Sequence, residues 1–76
     1  MYFLRKKVIL LKKISELRLE NGNMSQRELA DAINVTEASI SRWEKNQLNI
    51  RGLNLIKLAT FFRVSIDELL GLDDKL

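Results

Sequence analysis

The chain has 76 residues, 46% of them hydrophobic and 30% charged, and its 13 basic and 10 acidic side chains leave a net charge of +3. That length bounds it to one domain, 1–76, whose small core leaves stability leaning on self-association or a bound partner. Histidine and cysteine are both absent, which removes disulfides, thiolate metal sites, the commonest metal ligand and the commonest general base together.

Proline is absent and glycine occurs only at Gly22, Gly52 and Gly71, so helices are expected throughout. The first predicted helix runs from Leu4 to Glu20. Leu10, Ile14 and Leu17 fall at i, i+4 and i+7 on one face, while Lys12, Lys13, Glu16 and Glu20 lie largely off it. Asn21-Gly22-Asn23 closes it, because glycine and asparagine accept a left-handed cap. Residues 1–8 form an N-terminal extension that mixes apolar and basic side chains. Lys12 and Lys13 interrupt the apolar run and no small-residue cleavage site follows, unlike a signal peptide. No stretch approaches the ~18 uncharged residues of a membrane span. A soluble, cytoplasmic chain with no membrane partner is expected.

The second predicted helix starts at Ser25. Glu28 three residues later completes a capping box, and Met24 with Leu29 makes a hydrophobic staple. Leu29, Ala30 and Ile33 face inward, and Asn34 ends the helix. The third repeats the pattern, with Thr36 as N-cap inside a Val35–Ile40 staple. Ile40 and Trp43 share its inner face. Thr36, Glu37, Ala38, Ser41, Arg42 and Lys45 remain outside. A base-stacking role for Trp43 competes with core packing, and its inner-face position favours the core.

Asn46-Gln47-Leu48-Asn49 reads as a polar loop. A fourth helix begins between Asn49 and Leu53 and ends near Phe62, with Leu55, Leu58, Ala59 and Phe62 as its core stripe. A short fifth helix opens on a Ser65/Glu68 capping box with a Val64–Leu69 staple. It closes at Gly71, and residues 72–76 read as a frayed tail. Two short helices joined by a tight turn, the second apolar on one face only, are the layout of a helix-turn-helix over residues 25–45. In it, one helix is held by the core and offers its free face to the DNA major groove.

Three stretches resemble the Cro/phage-repressor (XRE-like) helix-turn-helix domains of bacterial and phage regulators. They are Ser25-Gln26-x-x-Leu29-Ala30, then Ile40-Ser41-Arg42-Trp43-Glu44, then Leu58-Ala59-x-x-Phe62-x-Val64-Ser65-Ile66-Asp67-x-Leu69-Leu70. Found together, in order and at family spacing, they carry a likeness that runs from about Ile14 to Gly71, most of the chain. The resemblance implies an all-α, compact five-helix, lambda-repressor-like fold. The motif's physics agrees: the two helices cross closely, which needs a small residue such as Ala30, and their turn needs a positive φ, which Asn34 tolerates. Two positions depart from the family. Asn46 stands at a frequent glycine, and Arg63 at another before the last helix, which implies strain there or a different turn.

The resemblance also implies roles for particular residues. Glu37, Ala38 and Arg42 map onto the base-reading positions, flanked by Thr36 and Ser41. Arg42 suits a guanine edge through two parallel hydrogen bonds and Ala38 a thymine methyl; Glu37 suits a cytosine amino group. Glu37 reads equally as a carboxylate favoured by the helix dipole. Gln26 maps onto a phosphate contact assisted by backbone N–H groups; the competing reading is a solvated first-turn residue. Lys45, Gln47, Asn49 and Arg51 lie where relatives follow the phosphate backbone, Lys45 foremost. Arg18 and Glu44 resemble a salt bridge that ties the recognition helix to the first helix; two unrelated surface charges are the alternative.

A half-site module gains affinity by pairing, with half-sites about 34 Å apart. Phe61 and the apolar start Tyr2-Phe3-Leu4 are therefore candidate homodimer contacts. The leading expectation is a repressor of bacterial or phage origin, associated with the nucleoid, on a palindromic operator and without a cofactor. An antitoxin-like or other protein-interaction module is the second reading. An enzyme is not expected: His and Cys are absent, no glycine-rich phosphate loop or carboxylate cluster is visible, and nothing points to the one pairing left open, Ser with Lys.

Overall fold

The computed structural model describes residues 7–8, 11–71 and 73–74. Five helices follow in order: α1 (Ile14–Glu20), α2 (Gln26–Ile33), α3 (Glu37–Lys45), α4 (Gly52–Phe62) and α5 (Ile66–Leu70). A short 3-10 turn, Gln47–Asn49, links α3 to α4. At the chain's two flanks, β1 (Lys7–Val8) pairs antiparallel with β2 (Asp73–Asp74), Lys7 opposite Asp74. The architecture is all-helical apart from that backbone pairing.

The helix starts follow from local chemistry. Ser25 Oγ accepts the Glu28 N–H at 3.0 Å, and the Ser25 N–H donates back to the Glu28 carboxylate at 2.8 Å. Ser65 and Glu68 repeat the exchange at 3.0 and 2.9 Å. Thr36 Oγ1 accepts the Ser39 N–H at 3.1 Å. Each cap satisfies donors that the first helical turn leaves without a partner.

The core gathers one face from every helix: Ile14 and Leu17; Leu29, Ala30 and Ile33; Ile40 and Trp43; Leu58 and Phe62; Leu69. Ile14, Leu29, Ile40, Leu58 and Leu69 are fully enclosed, each contributing roughly 1.5–3 kcal/mol by leaving water. Ile50 joins them from the segment between the 3-10 turn and α4, a core position that the predicted helical stripes do not include.

Two expectations are corrected. The first helix begins at Ile14, not Leu4. Leu11–Lys13 precede it outside any helix, and the Lys12 N–H donates across to the Glu68 carbonyl at 2.8 Å. The backbone there is bonded to α5 rather than to its own next turn. Leu10, expected on that helix's inner face, lies outside the described residues. The tail is not frayed at Asp73–Asp74, whose backbone pairs with β1.

Arg63 resolves the question of strain at the α4 cap. Its φ of 58° and ψ of 45° are left-handed, a conformation costly for a residue carrying a Cβ. Arg63→Gly is expected to stabilise the fold by about 1 kcal/mol, or roughly 4–8 °C in melting temperature for a chain of this size. A thermal melt showing no gain would refute strain at this position. Asn46, by contrast, sits in ordinary extended backbone at φ −156°, so the other missing glycine costs nothing there.

Candidate nucleic-acid interface

The α2–α3 pair is built around a close crossing. Ala30 is 1% exposed at that contact, and its carbonyl accepts the Val35 N–H at 2.9 Å. Asn34 makes the turn at φ 61°, ψ 54°, a left-handed conformation that asparagine tolerates better than most residues. A larger side chain at Ala30 would push α3 off α2.

Packing then divides α3 into two faces. Ile40 and Trp43 are sunk in the core, so the indole packs rather than stacks on a ligand. Thr36, Glu37, Ala38, Arg42 and Lys45 are exposed, and Ser41 is half-buried. Glu37, Ala38 and Arg42 share the solvent side, with Arg42 one turn beyond Ala38. Thr36 already serves as the N-cap, and its hydroxyl also bonds Ser39 Oγ at 2.9 Å.

An ion pair fixes the far end of α3. Arg18 Nε meets Glu44 Oε2 at 2.6 Å, and Arg18 Nη2 meets Oε1 at 3.1 Å. This is the bidentate fork that carboxylates favour. Both side chains are 14% exposed, between a surface and a buried pair. Arg18 Nη1 also donates to the Met24 carbonyl at 2.7 Å, so the guanidinium braces the α1–α2 loop as well. Gln26 Nε2 donates to Glu44 Oε1 at 3.0 Å. Arg18, Gln26 and Glu44 therefore form one cluster joining α1, α2 and α3, whereas the sequence pairs only the first and last. An amide nitrogen carries two donors, so this bond orients Gln26 and leaves it a second N–H.

Gln47 requires a correction. Its loop position predicts a phosphate contact, but its side chain is 7% exposed and faces inward. Oε1 accepts the Ile14 N–H at 2.8 Å. Nε2 donates to the Leu69 carbonyl at 2.7 Å and the Lys12 carbonyl at 3.1 Å. It satisfies the start of α1, the last turn of α5 and the segment between them and β1, with no side-chain polar atom left over for a phosphate. Lys45, Asn49 and Arg51 are exposed around it. Nothing in the sequence distinguishes Gln47 from its polar neighbours.

Phe61 is 38% exposed on α4, its ring set edge-on to Phe62 at 5.1 Å and 74°. With Ile33 and Ile56 it borders a shallow apolar groove of about 380 Å³. Tyr2, Phe3 and Leu4 lie outside the described residues. Among the described residues no helix is long and apolar enough to cross a membrane.

A core-anchored helix with an open polar face, set by a tight left-handed turn against a capped partner helix, defines a helix-turn-helix. That class of module offers one helix to a DNA groove. The chain matches a helix-turn-helix family model across residues 14–69 and belongs to the Cro/C1-type, XRE-like helix-turn-helix family. It is a DNA-binding helix-turn-helix regulator. No curated protein and no solved structure matched the chain.

Proposed function

We propose that the protein is a sequence-specific repressor that reads the major groove of double-stranded DNA with α3. The observation that carries this reading is the division of α3. One side is sealed by Ile40 and Trp43, and the other leaves Glu37, Ala38 and Arg42 free on a helix locked at its end by the Arg18–Glu44 pair. Arg42 reads a guanine, Ala38 packs on a thymine methyl and Glu37 accepts from a cytosine amino group, with Thr36 and Ser41 flanking. Gln26, turned by Glu44, donates its second N–H to a backbone phosphate. Lys45, Asn49 and Arg51 follow the same strand.

The chain acts as a homodimer on a palindrome, and Phe61 beside Ile56 gives a second copy an apolar contact. The protein-interaction alternative would show as an uncovered apolar face on α1 or as a toxin-like gene beside this one. Ile14 and Leu17 are buried and Leu19 alone is exposed among the apolar residues of that helix, which supports DNA as the partner.

Selection of bound sequences from a random duplex pool at about 150 mM salt, where non-specific phosphate binding is suppressed, tests this. A palindrome with half-sites about one turn apart is expected. Arg42→Ala should relax one position of it at a loss of roughly 1–3 kcal/mol. A folded protein that enriches no sequence refutes the proposal.

A further inference from the structure

A second feature lies beside the recognition helix and brings in Lys13, which neither the motif nor the family resemblance singles out. A cleft of about 640 Å³, open to solvent, separates the residues leading into α1 from the end of α3. It is lined by Leu11, Lys13 and Ser15 around the start of α1, by residues 44–48 at and after the end of α3, and by Leu70 and Gly71 at the end of α5. Lys13 and Lys45 are 32 positions apart in sequence, and both are exposed.

Charge matching in this cleft is incomplete. Glu44, the acidic residue on its wall, already gives both carboxylate oxygens to Arg18 and Gln26. The Arg18–Glu44 contact is the ion pair formed among the described residues, so neither Lys13 nor Lys45 has an acidic partner there. Lys13 and Lys45 thus line one space without an acidic partner of their own, in company with Ser15 and Asn46 and the apolar Leu11, Leu48 and Leu70. The space holds many waters, whose share of volume is about 30 Å³ each, and so admits a phosphodiester with its flanking sugars.

The walls are held in register. Gln47, next to Asn46, accepts the Ile14 N–H and donates to the Lys12 carbonyl. The backbone on both sides of Lys13 is thereby tied to the residue that follows the Lys45–Asn46 wall. The backbones that carry Lys13 and Lys45 are thereby held at one spacing, while both side chains stay exposed to solvent.

We propose that this cleft seats a DNA backbone phosphate, with Lys13 and Lys45 as its cations and Gln47 as the clamp that positions them. The inference rests on the DNA-binding reading and extends its footprint from the recognition helix to the residues before α1. A phosphate contact carries no base preference, so Lys13 adds affinity and register rather than sequence choice.

The test is a salt titration of binding to a mixed-sequence duplex of about 20 base pairs, two helical turns, between ~50 and ~200 mM salt. Wild type, Lys13→Ala, Lys13→Arg and Arg63→Gly are compared, the last removing one exposed positive charge away from the cleft. Loss of one phosphate contact lowers the slope of log K against log salt by about 0.9 and weakens binding about fivefold near 0.15 M. Lys13→Ala should show both effects, Lys13→Arg should restore them, and Arg63→Gly should leave the slope unchanged. An unchanged slope in Lys13→Ala overturns the proposal, as does an equal loss in Arg63→Gly, which would mean diffuse charge. If the wild type itself shows no salt-dependent binding, the DNA reading fails and this inference with it. Binding by wild type with an indifferent Lys13 overturns the cleft alone.

Discussion

Gln47→Leu is expected to cost roughly 4 kcal/mol of folding stability. Leucine fills nearly the same space, so the loss is not a cavity effect. It strips partners from the Ile14 N–H and from the Leu69 and Lys12 carbonyls. An unsatisfied buried polar group costs about 1–3 kcal/mol, and here two are buried and a third partly so. A domain this small has a total stability of only about 4–11 kcal/mol at the usual per-residue margin. Circular dichroism melts should show a fall of roughly 16–32 °C, taking 4–8 °C per kcal/mol. A fall of less than about 5 °C, near 1 kcal/mol, would mean that water replaces the amide and that Gln47 is not a clamp.

Glu44→Ala has the next largest expected effect, about 2 kcal/mol. The pair is mostly enclosed, and removing one partner leaves a guanidinium and the Gln26 amide facing a gap. Breaking a buried pair costs about 3–5 kcal/mol and an exposed one well under ~1; 14% exposure on both sides places this one between the two. Glu44→Gln should fall between, because the amide keeps an acceptor for Arg18 while the charge is lost. A melt of Glu44→Ala within about 5 °C of wild type would return the two residues to ordinary surface charges. The same variant should bind DNA less tightly even where it remains folded, since Gln26 loses the carboxylate that aims it.

The parts of the fold most legible in sequence were those specified by neighbours a few residues apart. Ser25 with Glu28, Ser65 with Glu68 and Thr36 alone each mark a helix start through bonds spanning three residues, and the structure forms all three. Asn34 marks the turn because its own backbone tolerance decides the conformation. Arg63 fell in between: the departure from glycine was visible, but only the structure shows that the chain keeps the left-handed cap and accepts the strain.

Long-range contacts were the least legible. Leu10, Ile14 and Leu17 have helical spacing, yet the backbone before Ile14 is claimed by Glu68 and Gln47, more than 30 residues away. Periodicity does not register that competition. Ile50 is a single apolar residue in a short connection, with no period to reveal that it enters the core. Of the candidate site, the exposed face of α3 follows from which residues the core takes. Gln47 and Lys13 are not sorted by the sequence, because one polar loop residue turns inward and one lysine just before α1 shares a cleft with the end of α3 only through the tertiary fold.

The pairing of Lys7 with Asp74 has a mechanical consequence. In an antiparallel pair the two outward-leading chain segments leave from the same end. A force drawing residues 7 and 74 apart therefore opens the ribbon one bond at a time, as a zipper, and among the described residues next meets the bond from Lys12 to Glu68. Tension on the flanks is spent there before it reaches α2 and α3. A fused domain pulling on either side would peel the edge of the molecule while the reading helix kept its seat.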